Sequence, residues 1–238
     1  MVWFVLPLAT AGVAGAFGVA VLRRYLDGRK RHNLLWSLGL LAIMAAALCQ
    51  LTAELAGSWP EAVYRLYYFL AGTSAAALGA GTMYLLNHRR AADLFLYAVA
   101  ALSAVQAGVC AISPIDTAHL SAAEVESGVR AASPAMRALV VVLNIAGTGA
   151  LLGGALLSYR ASRHTHNLLI AAGTVVFASG GSVAGLFPQE GGLSTAALYV
   201  GNLVGIVLLF LGFWLARTSF ADPASSAVAV ALVARPPT

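Results

Sequence analysis

Apolar stretches of about 20 residues recur along the chain and are separated by short polar segments. A helix that crosses a membrane needs roughly 20 consecutive, mostly apolar residues. The pattern therefore predicts an all-α bundle of seven transmembrane helices. These spans are predicted at about residues 2–22, 34–56, 62–86, 94–113, 137–158, 168–187 and 194–215. Residues 1–216 then form one transmembrane domain, and residues 217–238 form a short cytoplasmic tail that we expect to be disordered.

The composition agrees with a membrane environment. Hydrophobic residues make up 60% of the 238 residues and charged residues only 10%, and the mean hydropathy is +0.84. A soluble domain carries about 25% charged residues, so this chain has too few to cover a water-facing surface. The net charge of +5 does not indicate nucleic acid, because the basic residues lie in short segments between apolar spans.

The basic residues also predict an orientation. The segments after spans 1, 3 and 5 contain RRYLDGRKRHN, NHRRAAD and YRASRHTHN, and with the tail they carry eleven of the fourteen basic residues. Basic residues are enriched in cytoplasmic segments, so we expect the N-terminus outside, the C-terminus inside and a multi-pass protein of the cytoplasmic membrane. The N-terminus is apolar before it is basic, which is the reverse of a cleavable signal peptide.

Two halves of the chain resemble each other. RHNLLWSLG at 31–39 matches THNLLIAAG at 165–173. Spans 1–3 and 5–7 run in the same directions, so the match indicates a parallel repeat of three, one and three helices, with span 4 as linker. At the same offset Tyr25 aligns with Tyr159 and Arg29 with Arg163. When the alignment is shifted by one residue, Tyr64 also aligns with Tyr199.

Small residues predict close helix packing in spans 3, 5, 6 and 7. GxxxG pairs let helix backbones approach where lipid supplies no hydrophobic drive between helices. The pairs are Gly149 and Gly153, Gly181 and Gly185, and Gly201 and Gly205, with Ala75 and Gly79 as a related pair.

The chain lacks the residues of several familiar membrane chemistries. Its one lysine, Lys30, lies outside span 7, where a retinal protein would need a Schiff-base lysine. No histidine lies within a predicted span, which argues against axial haem ligands. The pair His164 and His166 lies in a basic segment without carboxylates, which favours a solvated loop over a metal site. Paired acids and nucleophile motifs are also missing, so we expect no cofactor and no metal, and the sequence favours a non-enzymatic function without excluding an enzyme.

Polar residues gather at one depth, in the outer half of five spans. Such residues usually face the bundle interior and find partners there. They predict a ligand pocket open to the outside, and ordinary hydrogen bonds between helices are the alternative. Glu54 and Arg65 flank the short AGSWPEA connection and are expected to pair, either within the pocket or as an interfacial staple. The candidate pocket residues are Gln50, Glu54, Arg65, Tyr68, Gln106, Asn144 and Asn202.

The longest outer segment, about residues 114–136, contains SAAEVESGVRAASP. Ser121 and Glu124 stand at capping-box spacing, so the segment predicts a short helix at the outer surface. This helix is either a lid over the pocket or a connector resting at the interface.

Residues 64–90, YRLYYFLAGTSAAALGAGTMYLLNHRR, resemble a segment of a family of uncharacterised bacterial multi-pass membrane proteins. The shared features are a tyrosine-rich entry to a helix, a Gly-Thr-x-Tyr-Leu-Leu exit and a basic loop. The resemblance implies a membrane topology and no particular activity.

Three functions stay open at this point. The first is a non-enzymatic protein that senses or transports a small molecule through the outward polar layer. The second is a structural or accessory subunit that packs beside a partner membrane complex. The third, and least supported, is an enzyme that modifies lipid. The expected partners are the lipid bilayer, a small-molecule ligand or a membrane subunit, and not nucleic acid.

Overall fold

The computed structural model describes residues 4–86, 89–120, 129–186 and 193–220. These ranges contain seven long α-helices, two short 3₁₀ turns and no strand, which confirms the all-α prediction. The turns are Thr117–Leu120 and Val129–Ala131. The helices are α1 Val5–Gly28, α2 Arg31–Ala56, α3 Glu61–Leu85, α4 Arg89–Ile112, α5 Pro134–Ser162, α6 Thr165–Leu186 and α7 Leu193–Phe220.

Each predicted span lies on one of these helices, but several helices are longer than the spans. α1 continues to Gly28 and α5 to Ser162, because arginine, tyrosine and serine continue a helix beyond its apolar part. α7 likewise continues to Phe220, four residues into the predicted tail. The rest of that tail, and the helix predicted at Ser121 and Glu124, lie outside the described residues.

Within the part of the chain whose side chains are described, five of the helices contain a segment that is long and apolar enough to cross a membrane. α3 lies among α2, α4 and α5, and tyrosine, glycine and threonine interrupt its apolar residues. α6 begins with the polar sequence THN and continues with mostly apolar and small residues. The apolar segments are Val5–Gly28, Arg31–Ala56, Arg89–Ile112, Pro134–Ser162 and Ala196–Ala216.

Six helices form a closed ring in the order α1, α2, α3, α5, α6, α7, and α4 packs outside it against α3 and α5.

We call the end of the bundle that holds Arg29, Lys30, Arg163 and His164 the basic end. The opposite end holds Trp59 and is called the aromatic end. α3 and α5 run in the same direction, so α4 returns the chain from the basic end to the aromatic end.

The centre of the ring is filled by apolar side chains from α1, α2, α3, α5 and α7. Toward the basic end, Phe17 lies edge-on to Trp36, with ring centroids 6.4 Å apart, and to Phe210 at 5.3 Å. Phe213 stacks with Trp36 at 6.2 Å. Aromatic pairs at such distances add to the free energy of burial, so this half of the bundle is a packed apolar core.

Glycine brings two pairs of helices into backbone contact. A Cβ added at Gly147 in α5 would lie 2.2 Å from the Ala75 carbonyl oxygen in α3, and one added at Gly201 in α7 would lie 2.9 Å from the Gly180 Cα in α6. The close packing predicted for spans 3, 5, 6 and 7 is therefore present. At Gly149 and Gly153, by contrast, a Cβ would meet nothing within 4 Å, so this GxxxG pair does not pack the bundle.

Left-handed backbone conformations end three of the helices. Gly57 adopts φ 67° after α2, where glycine has no Cβ to clash. Arg29 and Arg163 adopt φ 50° and 58° after α1 and α5. The Arg29 N–H donates to the Tyr25 carbonyl, and the Arg163 N–H donates to the Tyr159 carbonyl. The two helices thus end in the same way at the basic end.

The contrast between Gly147 and Gly149 gives a test of the α3–α5 contact. Replacement of Gly147 by alanine places a methyl group against the α3 backbone, and we expect it to destabilise the protein by at least about 2 kcal/mol. Replacement of Gly149 by alanine is the matched control, because its methyl group enters open space. Thermal unfolding of both variants in the same detergent measures the difference. Equal melting temperatures would contradict the described α3–α5 packing.

Candidate functional site

Four aromatic residues form a cluster at the aromatic end. The Trp59 ring lies 5.6 Å from the Tyr64 ring and 5.0 Å from the Tyr67 ring, centroid to centroid. The Tyr68 ring lies 5.0 Å from that of Tyr64 and 6.1 Å from that of Tyr67. Trp59, Tyr64 and Tyr68 are buried. The tyrosine-rich start of α3 therefore packs inside the protein and does not form an exposed interfacial belt.

The connection between α4 and α5 covers this cluster. The backbone N–H of Trp59 donates to the Leu120 carbonyl at 3.0 Å, and the backbone N–H of Asp116 donates to the Ala131 carbonyl at 3.1 Å. Leu120, Ala131 and their neighbour Ala132 are buried against the aromatic cluster. The described parts of the connection are thus packed onto the end of the bundle, as expected for both a lid and a connector.

Arg65 is bonded to α4 and to its own helix. Its Nη1 donates to the Cys110 carbonyl at 2.5 Å and to the Ala111 carbonyl at 3.1 Å. Its Nε and Nη2 donate to Glu61 Oε1 at 3.0 and 2.7 Å. Cys110 and Ala111 belong to the last turn of α4, whose carbonyls have no partner within the helix. A cation at that position also interacts favourably with the helix dipole, so Arg65 caps α4.

Gln106 is fully buried between α4 and α3. Its Nε2 donates to the Tyr68 carbonyl at 2.8 Å. The amide lies against Gly72, where an added Cβ would be 2.4 Å from Nε2 and 2.6 Å from Oε1. Gly72 therefore provides the space that the amide occupies. Oε1 has no hydrogen-bond partner among the described residues, which is uncommon for a buried acceptor.

A third polar contact joins α4 to the ring at the basic end. The Tyr84 hydroxyl donates a short hydrogen bond to Asp93 Oδ1, and Arg31 Nη1 lies 3.3 Å from the same oxygen. Arg31 also lies over the Tyr84 ring, 6.0 Å from its centroid. α2, α3 and α4 are joined by these three side chains.

Two further polar contacts join ring helices near the aromatic end. Gln50 Nε2 in α2 donates to the Tyr67 hydroxyl in α3 at 3.2 Å. The Tyr199 hydroxyl in α7 donates to Glu54 Oε1 in α2 at 2.7 Å. Tyr199 is 1% exposed, so the Glu54 carboxylate approaches the interior between α2 and α7.

The predicted pair of Glu54 and Arg65 is wrong. The two residues are near in the chain, but α3 turns the Arg65 side chain toward α4, whereas Glu54 points toward α7. Glu61, one helical turn before Arg65, is the carboxylate that Arg65 binds. The i,i+4 spacing of Glu61 and Arg65 was the sequence signal for this pair.

The seven candidate residues are thus divided among several contacts. Arg65, Tyr68 and Gln106 belong to the α3–α4 contact, and Gln50 and Glu54 join α2 to α3 and α7. Asn144 and Asn202 are partly buried and have no hydrogen bond to another described residue. Asn202 lies three residues after Tyr199, on the same face of α7.

Thr10 is a further polar residue of this region that the sequence pattern does not single out. Thr10 in α1 is 2% exposed, and its Oγ1 has no partner in the described part of the chain. Leu6, one turn earlier, packs against Tyr199. The hydroxyl of a threonine in an apolar helix usually bonds to the carbonyl four residues before it. No simple sequence rule therefore distinguishes Thr10 from other helical threonines.

The side chains around Glu54 and Tyr199 offer acceptors and hydroxyl or amide groups. Within the described ranges, no group of three or more His, Cys, Asp or Glu side chains is placed to hold a metal ion. In comparisons with known proteins, no family model, no curated protein and no solved structure matches the chain.

The cap formed by Arg65 predicts a local loss of stability on substitution. Arg65→Gln removes two charge-assisted hydrogen bonds to the end of α4, and we expect it to cost about 2 kcal/mol. Glu61→Gln is the control and is expected to cost about 0.5 kcal/mol, because its ion pair is half-exposed. Unfolding curves and hydrogen exchange of residues 107–120 measure the two effects. The cap would be contradicted if both variants lowered the stability equally and raised hydrogen exchange throughout the protein.

The contact of Gln106 with Gly72 predicts a strong coupling between the two positions. Gly72→Ala places a methyl group where the Gln106 amide lies, so we expect a loss of at least about 1 kcal/mol. In the background of Gln106→Ala the amide is gone, and the same change is expected to be neutral or stabilising, because alanine favours a helix over glycine. A double-mutant cycle by thermal unfolding measures the coupling. Additive effects would contradict the contact.

Proposed function

We propose that the protein crosses the cytoplasmic membrane seven times, with its N-terminus outside and the basic end inside. Five apolar helices support the membrane location. α3 and α6 are part of the same closed ring and have similar lengths to the apolar helices, which supports their crossing as well. The basic segments Arg29–Lys30 and Arg163–His164 lie at one end, as the positive-inside rule requires of a cytoplasmic side.

We further propose that α1–α3 and α5–α7 are repeats. Supporting this, Arg29 and Arg163 cap α1 and α5 in the same left-handed conformation. A Cβ added to Gly39 would lie 2.9 Å from the Ser74 carbonyl oxygen, and a Cβ added to its counterpart Gly173 would lie 2.9 Å from the Gly205 carbonyl oxygen. In the third helix of each half, a Cβ added to Gly81 would lie 3.1 Å from the His32 carbonyl oxygen, and a Cβ added to Gly212 would lie 2.9 Å from the His166 carbonyl oxygen. These contacts favour an alignment in which Tyr68, and not Tyr64, corresponds to Tyr199.

We propose that the protein binds a small molecule near Glu54, between α2 and α7, and thereby senses or transports it. The observation that carries the proposal is the Glu54 carboxylate, which is bonded to the buried phenol of Tyr199 and to no cation of the described residues. Ionisable side chains inside a membrane bundle are costly and mark functional sites. Since Arg65 is engaged by α4 and Glu61, the site offers a carboxylate and no arginine.

This composition favours a ligand that brings a positive charge or several hydrogen-bond donors. A small organic amine would compensate the charge of Glu54, a partly buried carboxylate that is costly to leave unpaired. Thr10, whose Oγ1 has no hydrogen-bond partner among the described residues, and the partly buried Asn144 and Asn202 supply further polar atoms toward the same end. Tyr199 then orients the carboxylate.

Native mass spectrometry of the purified protein tests this proposal. Wild-type protein is expected to retain a small molecule, or to bind members of a panel of small organic amines, and Glu54→Gln is expected to lose that binding at least tenfold. An ionic contact of about 1.4 kcal/mol suffices for such a loss.

Glu61→Gln is the matched control, because it makes the same chemical change at the same end of the bundle on an exposed carboxylate. It is expected to bind as wild type does. Equal binding by wild type and Glu54→Gln, or no binding of any amine by wild type, would contradict the proposal.

An accessory subunit of a membrane complex is the second candidate. The open face at Gly149 and Gly153 supports it, since a partner helix would approach closely there. Co-purification of a stoichiometric partner that is lost when Gly153 is enlarged would favour this role.

A further inference from the structure

A groove runs along the outward face of α5 toward the basic end. Its volume is about 620 Å³, and its walls come from the second half of α5 and from Arg163. Ligand pockets for small molecules have volumes of this order. The lining residues are Gly153, Leu156, Leu157, Tyr159, Arg160 and Arg163.

The long part of the groove is apolar and open. A Cβ at Gly153, or at Gly149 one turn earlier, would meet nothing within 4 Å. Leu156 and Leu157 are 42% and 53% exposed. From Gly153 to Arg160 the groove follows α5 for about 10 Å, at 1.5 Å per residue. The open apolar face of α5 continues to Gly149, so a hydrocarbon chain can lie along it.

The mouth of the groove is basic. Arg160 and Arg163 lie there, and neither is paired with a carboxylate of the described residues. The sequence contains no acidic residue between Glu126 and Glu190, so neither α5 nor α6 compensates this charge. The left-handed cap fixes the Arg163 backbone, and its guanidinium lies over the Tyr159 ring at 5.9 Å.

We propose that this groove binds one anionic phospholipid. Its phosphate lies between Arg160 and Arg163, and one acyl chain runs along Leu156, Gly153 and Gly149. Basic pockets at the ends of transmembrane helices recognise acidic headgroups by charge. The site lies at the opposite end of the molecule from Glu54 and does not depend on the function proposed there.

A second copy of the chain fits this groove less well than a lipid. A symmetric pair of parallel α5 helices in contact at Gly153 would bring the Arg160 and Arg163 side chains of both copies to the same end. Four uncompensated guanidinium groups would then lie near one another. A phosphate instead neutralises the two arginines of one copy.

Native mass spectrometry with two lipids tests the proposal. The probes are palmitoyl-oleoyl phosphatidylglycerol, which is anionic, and the phosphatidylcholine with the same acyl chains. The wild-type protein is expected to bind the anionic lipid more tightly. The Arg160→Gln/Arg163→Gln variant is expected to lose about 25-fold in affinity for it, at about fivefold for each basic side chain.

Two further variants separate the charge from its position. Arg23→Gln/Arg29→Gln removes the same charge at the same end, from exposed arginines outside the groove, and is expected to change the affinity less than about twofold. Gly153→Leu fills the apolar part, leaves both arginines in place and is also expected to weaken binding. Melting temperatures verify that all three variants fold.

Three results would overturn the proposal. Equal losses in the two double variants would mean that the protein attracts acidic lipid through its overall charge. Equal binding of the two lipids by wild type would exclude headgroup recognition. A dimer that Gly153→Leu dissociates, with lipid binding unchanged, would assign the groove to a second copy.

Discussion

Hydrogen bonds and one ion pair attach α4 to the ring, and the arrangement of the aromatic end depends on this attachment. Only 17% of the apolar segment of α4 is buried, and lipid provides little hydrophobic drive for helix association. Three polar contacts add to the apolar packing of Val99 and its neighbours. They are Asp93 with Tyr84 and Arg31, Gln106 with the Tyr68 carbonyl, and Arg65 with the carbonyls of Cys110 and Ala111. Each bond has a direction, so together they fix the rotation and depth of α4 more narrowly than apolar packing would.

The two halves of the bundle consequently use different interactions. Toward the basic end the centre is filled by aromatic and aliphatic side chains. Toward the aromatic end, hydrogen-bonded residues such as Gln50 and Glu54 lie between helices, and a connection from α4 to α5 covers the tyrosines. A polar layer at one end therefore lies beside an apolar core that packs the ring at the other end. The same division places the Glu54 region and the α5 groove far apart.

Much of this architecture could be predicted from hydrophobic periodicity, because apolar length determines where a helix can cross a membrane. The helical class and the approximate positions of the helices follow from that pattern. The partners of the polar residues do not, since they depend on the rotation of each helix. Glu54 and Arg65 are neighbours across a short connection, yet they point toward α7 and α4. Likewise Gly149 and Gly153 match the GxxxG pattern, but Gly147 makes the backbone contact with α3. The sequence predicts that Gln106 is a polar residue within a helix, but not that its amide lies against Gly72, because that contact depends on how α3 and α4 are rotated.

The position of α4 outside the ring gives its length a role that its own packing does not reveal. α3 and α5 run in parallel, and their backbones meet where Gly147 faces Ala75 and Gly79. The 24 residues of α4, about 36 Å of helix, span the distance between the end of α3 and the start of α5. α4 therefore returns the chain from the basic end to the aromatic end, which two parallel helices that follow one another in the ring require. Without a helix of about this length the chain could not re-enter the ring at the aromatic end, and α5 could not run parallel to α3 with Gly147 against its backbone.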